Sequence, residues 1–204
     1  MDEDEYFTID QQYSAETKVK GSRFIGTACP VNTEDQAVEF IRLVSMKFYD
    51  ATHNCYAYLI GYQPSIITRY SDAGEPGGTA GLPILNVIKG KQLTNIVIVI
   101  TRYFGGTRLG KGGLVRAYSE CTRKVIDQCS IIKQYIFQKL RLKFDYNLTG
   151  PVMRVVSLFN ANILESIYKQ QVSLVLTLRK SQIENFKSNL LEISSGKVSI
   201  HEES

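Results

Sequence analysis

Histidine, paired cysteine and long apolar runs are scarce in this 204-residue chain, and each scarcity removes a class of function. Of the two histidines, His201 lies in the C-terminal tail and His53 stands next to Asn54 and Cys55. His53 and Cys55 share one side of a strand, but a metal needs more ligands than these two, and a lone histidine at a strand edge is more often a hydrogen-bonding structural residue. No metal and no cofactor is expected. The four cysteines, Cys29, Cys55, Cys121 and Cys129, contain no C-x-x-C pair, and no basic-then-apolar leader opens the chain. Free thiols and a cytoplasmic location are therefore expected, not a disulfide framework. The most apolar segment, Ile96 to Ile100, falls far short of the roughly 20 residues that cross a bilayer, so no membrane partner is expected. With no recognisable nucleophile or paired-carboxylate site, no catalytic residue is assigned, and a non-enzymatic role is favoured.

What is present is an ordinary soluble composition, 44% hydrophobic and 22% charged, with a net charge of +4 unevenly spread. Asp2, Glu3, Asp4, Glu5, Asp10 and Glu16 make the start acidic, whereas Arg102, Arg108, Lys111, Arg116, Arg123, Lys124, Lys133, Lys139, Arg141 and Lys143 make the middle basic. A phosphate backbone favours the second region. The plainer alternative is a solvated helix face, with Arg116 paired to Glu120 and Arg123 to Asp127.

Ten of the fifteen glycines fall between Gly74 and Gly113. Glycine weakens helices and strands, so this concentration implies positive φ or a close approach of the backbone to something. The segment from Gly105 to Gly113 runs from a strand into the start of a helix, a natural anion site where Arg102, Arg108 and Lys111 add charge. It is not a Walker A loop, because the G-x-x-x-x-G-K-[ST] order is absent. The candidate anion or nucleic-acid contacts are Arg102, Tyr103, Gly105, Gly106, Arg108, Gly110, Lys111, Gly112, Gly113 and Arg116, with Tyr103 as the stacking aromatic and Phe104 and Tyr118 assigned to the core. The competing reading is that these glycines permit tight strand-to-helix packing with no ligand.

A second loop contributes Ser71, Asp72, Gly74, Glu75, Gly78, Thr79 and Gly81. Its carboxylates suit turn-forming hydrogen bonds or a pair with Arg102 or Arg108 better than chemistry. Thr79 to Gly81 lead towards Pro83, which fits a first helical turn, so a second helix N-terminus facing the same cleft is expected.

Periodicity predicts a strand over Thr17–Ala28 and a helix over Thr33–Phe48, with Thr33 as N-cap and Val38, Ile41 and Phe48 apolar. A hairpin of Cys55–Tyr62 and Ile66–Tyr70 turns across Gln63, Pro64 and Ser65. A helix begins near Pro83, a β-branched strand spans Asn95–Tyr103, and a helix over Gly113–Gln128 carries the stripe Leu114, Tyr118, Cys121 and Val125. From Ile136 onward the order is strand, helix, strand, strand, helix, strand, the ferredoxin-like β-α-β-β-α-β arrangement.

The strings SDAGEPGGTAGLPIL from Ser71 and VIVITRYFGGTRLGKGGLVRAY from Val97, with KGSRFIG at Lys20 and HNCYAY at His53, resemble the signature of the YigZ/IMPACT family. Ala73 stands where that family commonly has a second aspartate, which weakens any paired-carboxylate site. The resemblance implies an α+β chain of two domains. Residues 1–132 would form an α/β sandwich like domain IV of elongation factor G, and residues 133–204 a ferredoxin-like domain. It also implies a translation-associated regulatory factor whose partner is RNA or the ribosome, or a protein in translation control, with no DNA specificity. Two alternatives stay open: an enzyme using the same cleft on a small phosphorylated or anionic substrate, by analogy with the GHMP kinases, and a protein-partner module.

Overall fold

The computed structural model describes residues 4–62 and 64–203; Asp2 and Glu3 of the acidic start and Gln63 of the expected turn lie outside the described residues. The contacts divide these into two units, one of residues 6–133 and one of residues 134–203 with residues 4 and 5. Two short strands, β1 (Glu5–Ile9) and β7 (Ile131–Tyr135), pair as a two-stranded sheet that periodicity did not anticipate. No helix among the described residues is long and apolar enough to cross a membrane.

In the first unit, β2 (Tyr13–Val19) and β3 (Ser22–Pro30) replace the single strand expected over Thr17–Ala28. The chain reverses at Lys20 and Gly21, both at positive φ, the two-residue hairpin whose twist matches that of its strands. Helix α1 (Glu34–Lys47) starts as expected at Thr33, whose side chain accepts the Gln36 N–H while Gln36 accepts from the Asn32 N–H. Its buried residues are Ala37, Phe40 and Val44, spaced three and four apart, and Val38 is 55% exposed because it sits one position off that stripe. The remaining elements are β4 (His53–Ile60), β5 (Ile67–Ser71), α2 (Gly81–Gly90), β6 (Ile96–Tyr103) and α3 (Gly110–Asp127).

The five strands form an antiparallel sheet in the order β2-β3-β6-β4-β5. Its centre, β6, is buried on both faces, which is why it reads as an unbroken apolar run. Ile96, Ile98 and Ile100 pack with α2 and α3, and Leu114, Tyr118, Cys121 and Val125 of α3 are all buried as the helical stripe predicts. Val97 and Val99 pack on the opposite face against Phe40 and Val44 of α1. This unit is thus a sheet between helical layers.

The second unit comprises β8 (Phe137–Phe144), α4 (Thr149–Leu158), β9 (Asn162–Tyr168), β10 (Val172–Arg179), α5 (Ile183–Ser194) and β11 (Ser199–Glu203). Its antiparallel sheet has the order β11-β8-β10-β9, the ferredoxin-like arrangement. It has its own core, in which Leu140, Leu142 and Phe144 meet Val152, Val156 and Leu190, and Phe186 meets Phe159 edge to face at 5.4 Å.

Asp4 anchors the chain start to this unit. Its carboxylate accepts from Arg179 at 2.9 and 3.1 Å and from the Ser181 N–H and Oγ at 3.1 and 2.6 Å. The Arg179 hydrogen bonds hold the carboxyl well below its ordinary value, against the opposing push of burial. A group depressed in the folded state adds stability that is complete above its unfolded value and is lost as pH falls through the folded one. We expect the second unit to weaken progressively below about pH 4. Asp4→Asn should lower its stability at neutral pH by roughly 1.5–3 kcal/mol and flatten that acid dependence, as thermal melts across a pH series would register.

Candidate functional site

The alternation of β6 decides what faces what. Arg102 has the parity of Ile98 and Ile100 and enters the layer of α2 and α3, while Tyr103 has the parity of Val97 and Val99 and faces the α1 side. Arg102 is 5% exposed. Its Nη1 donates to Glu75 Oε1 at 2.5 Å and its Nη2 to Ser22 Oγ at 3.3 Å, and its guanidinium lies between the rings of Phe24 and Phe104, 5.5 and 5.6 Å from their centroids. Tyr118 of α3 donates a further hydrogen bond to Glu75 Oε1 at 2.8 Å. The charge of Arg102 is therefore offset internally by Glu75, which removes it from the free cations expected to meet phosphate. Its Nε–H is buried with no acceptor among the described residues.

Most of the loop from Ser71 to Gly81 is built to hold itself. Asp72 Oδ1 accepts the N–H groups of Ala80 and Gly81, each at 2.9 Å, and Oδ2 accepts that of Gly78 at 2.8 Å. Burial pushes this carboxyl up, yet the three backbone donors outweigh it and hold the group below its usual range. The expected second helix N-terminus is thus already occupied by the chain's own carboxylate. Ser71 Oγ accepts the Ala73 N–H, Thr79 Oγ1 donates to the Pro76 carbonyl, and a Cβ on Gly81 would lie 2.7 Å from the Ser71 backbone. Ala73, at φ 44, adopts the left-handed region that aspartate tolerates better than alanine, and Gly74 follows at φ +89.

The glycines after β6 have different reasons. A Cβ on Gly105 would lie 1.9 Å from the Gly21 carbonyl carbon, so that glycine exists for backbone contact, while Gly106 and Gly110 have positive φ. Gly113 lies against Leu109. Gly112 has neither constraint: its φ is ordinary and a Cβ would meet only the end of the Arg116 side chain, at 3.7 Å. Helix α3 follows Leu109 at its N-cap position, which has no side-chain acceptor for the first-turn N–H groups, in contrast to the capped starts of α1 and α2.

This uncapped turn opens on a cleft of about 450 Å³ lined by His53, Glu75, Arg102, Phe104, Arg108 and Lys111 among others. Arg108, Lys111 and Arg116 are exposed, and no carboxylate lies within ion-pair reach of any of them among the described residues. The expected pairs Arg116–Glu120 and Arg123–Asp127 are not made; Asp127 pairs with Lys91 at 2.8 Å instead.

Two aromatic assignments are reversed. Tyr103 donates its hydroxyl to Asp50 at 2.7 Å on the other face of the sheet, whereas Phe104, 48% exposed, lines the cleft. Tyr118 is buried as expected. His53 also lines the cleft, a placement that its lone position in the sequence did not signal. Its Nδ1 is 2.9 Å from the Ala73 carbonyl and its Nε2 is 4.0 Å from Glu75 Oε2. Cys55 makes no dyad with it: the thiol donates to the Asp72 carbonyl, and burial pushes it up to about 12, far from a nucleophilic thiolate. No metal-holding group of side chains occurs among the described residues.

The family model for the Impact N-terminal domain matches residues 20–126, the span that contains every part of this cleft. The chain belongs to the IMPACT family. A second model, a domain of unknown function (DUF1949), matches residues 142–197 in the ferredoxin-like unit. IMPACT family member YvyE of Bacillus subtilis is 33% identical over 97% of this chain and 90% of its own length. IMPACT family member YigZ of Escherichia coli is 29% identical over 90% of each. A solved structure titled as a hypothetical protein superposes with a TM-score of 0.74 at 27% identity, covering 98% of both chains.

Removing one partner of a buried ion pair leaves the other uncompensated. Glu75→Gln should therefore destabilise the first unit by roughly 3–5 kcal/mol. Tyr118→Phe, which removes one hydrogen bond from a carboxylate that keeps its arginine, should cost only about 1–3 kcal/mol. Urea unfolding of the two variants compares them directly.

Proposed function

We propose that this IMPACT-family protein is a translation-associated regulatory factor that binds RNA, free or on the ribosome, through the cleft at the start of α3. The observation that carries the reading is a set of exposed cations with no carboxylate partner among the described residues: Arg108 and Lys111 line the cleft at an uncapped helix N-terminus, and Arg116, outside the lining, extends its guanidinium back towards Gly112 of the first turn. Unpaired cations and open N–H groups suit phosphates, and the buried, unpartnered Nε–H of Arg102 beside them is a second donor awaiting an acceptor. The translation role is what the resemblance to the IMPACT family implies.

A second reading, a small phosphorylated ligand in the same place, draws support from the cleft's volume of about 450 Å³, which suits a compact molecule. The two separate by length dependence, because a strand gains affinity as it spans more cations and a small ligand does not.

Binding of single-stranded and duplex RNA and of ribosomes across a salt series tests the proposal. Arg108→Ala/Lys111→Ala/Arg116→Ala should flatten the slope of log affinity against log salt by about 2 for single strands. An unchanged slope sinks the assignment.

Gly112→Ala separates packing from ligand approach. With no clash to relieve and an ordinary φ, it should leave the fold intact or raise its stability by up to about 1 kcal/mol. Loss of RNA affinity in that stable variant would place phosphate against the first turn; unchanged affinity would place it elsewhere.

A further inference from the structure

We propose that the cleft holds one unpaired guanine, its face on the Phe104 ring and its Watson–Crick edge on Arg102, Glu75 and His53. This rests on the RNA-binding reading and names the base that the site takes. Phe104 is a half-exposed aromatic with one face backed by the Arg102 guanidinium, and its own N–H donates to Thr52 Oγ1 at 3.0 Å, which fixes the ring's backbone beside His53. A fixed, exposed ring next to open phosphate-binding groups is the arrangement on which single-stranded bases stack.

The hydrogen-bonding groups around it narrow the choice of base. Glu75 Oε1 is occupied by Arg102 and Tyr118, whereas Oε2 receives no hydrogen bond among the described residues. His53 Nδ1 faces the Ala73 carbonyl, which can only accept, so the neutral ring carries its proton on Nδ1 and presents Nε2 as an acceptor. Oε2 and Nε2 are thus two acceptors 4.0 Å apart. Arg102, bonded to the other oxygen of Glu75, adds a buried Nε–H with no acceptor. One donor and two neighbouring acceptors match in kind the O6, N1–H and N2–H groups of guanine. Adenine, cytosine and uracil do not present an acceptor followed by two donors on that edge.

The chain has no tryptophan, so Phe104→Trp installs a single indole at the proposed stacking surface, excited at wavelengths beyond the absorption of the twelve tyrosines. Its emission should be quenched by a single-stranded oligouridine containing one guanosine, with affinity at least about tenfold above that for the all-uridine strand. Replacing the guanosine by inosine, which lacks the N2 amine, should give back much of that gain. In the otherwise unchanged chain, Phe104→Ala should weaken binding of the guanosine-containing strand roughly 5- to 150-fold and leave duplex binding unchanged. Phe104 packs on the Arg102 guanidinium, so thermal melts of both variants accompany the titrations, and the comparison among strands is made within each folded variant.

Equal quenching and affinity for strands carrying guanosine, adenosine or cytidine would overturn the guanine assignment. Binding of the guanosine strand without quenching would overturn the stacking site, while a salt slope still flattened by the triple variant would leave the RNA reading standing. Failure of every strand to bind overturns both. Equal affinity for guanosine monophosphate alone would uphold the guanine site and overturn a strand as its source.

Discussion

The buried ion pair between Glu75 and Arg102 organises the first unit. An arginine that is 5% exposed is tolerable only with a matched anion, and supplying it fixes where the loop after β5 must run. From this pair the connections extend outward: Tyr118 joins α3, Ser22 joins β3, and the rings of Phe24 and Phe104 close over the guanidinium. Ser22 Oγ also accepts the Gly105 N–H at 3.2 Å, so the chain leaving β6 is positioned by the hydroxyl that solvates Arg102. One charge neutralisation thus sets the mutual positions of the glycine-rich loop, the start of α3 and the floor of the cleft.

The division of labour among charges follows from exposure. Arg102 and Asp72 have structural tasks, one satisfied by Glu75 and the other by three backbone donors, and their charges do not reach solvent as free valence. Arg108, Lys111 and Arg116 have no such partners among the described residues. A basic segment that looks uniform along the chain therefore separates into one cation that builds the cleft, two that line it without a partner, Arg108 and Lys111, and one, Arg116, that lies outside the lining beside Gly112. The same holds for the glycines, of which Gly105 serves backbone contact and Gly106 and Gly110 serve backbone conformation.

Elements with a strong single period were legible. The stripe Leu114, Tyr118, Cys121 and Val125 defined α3, and the order of strands and helices after Ile136 defined the ferredoxin-like unit. The reversal at Lys20 and Gly21 was missed because Lys-Gly lacks the side-chain signal of Asn-Gly, and β1 and β7 were missed because five residues seldom establish a period. The glycine loops pointed to the cleft, but not to which aromatic lines it. Along β6 the unbroken apolar run carries no polar alternation to say which face holds Arg102, so Tyr103 and Phe104 were indistinguishable until the sheet's helical layers were in place. Burial of Arg102 beside exposure of Arg108 depends on where Glu75 arrives from another loop, which no local pattern encodes.

The contact between Gly21 and Gly105 joins two bare backbones, with a Cβ on Gly105 lying 1.9 Å from the Gly21 carbonyl carbon and one on Gly21 lying 2.7 Å from the Gly105 oxygen. Neither position has a side-chain solution, because there is no neighbouring side chain to shrink in compensation. A side chain at either position must therefore displace main chain, so the crossing fixes how closely the β2–β3 turn and the segment leaving β6 approach.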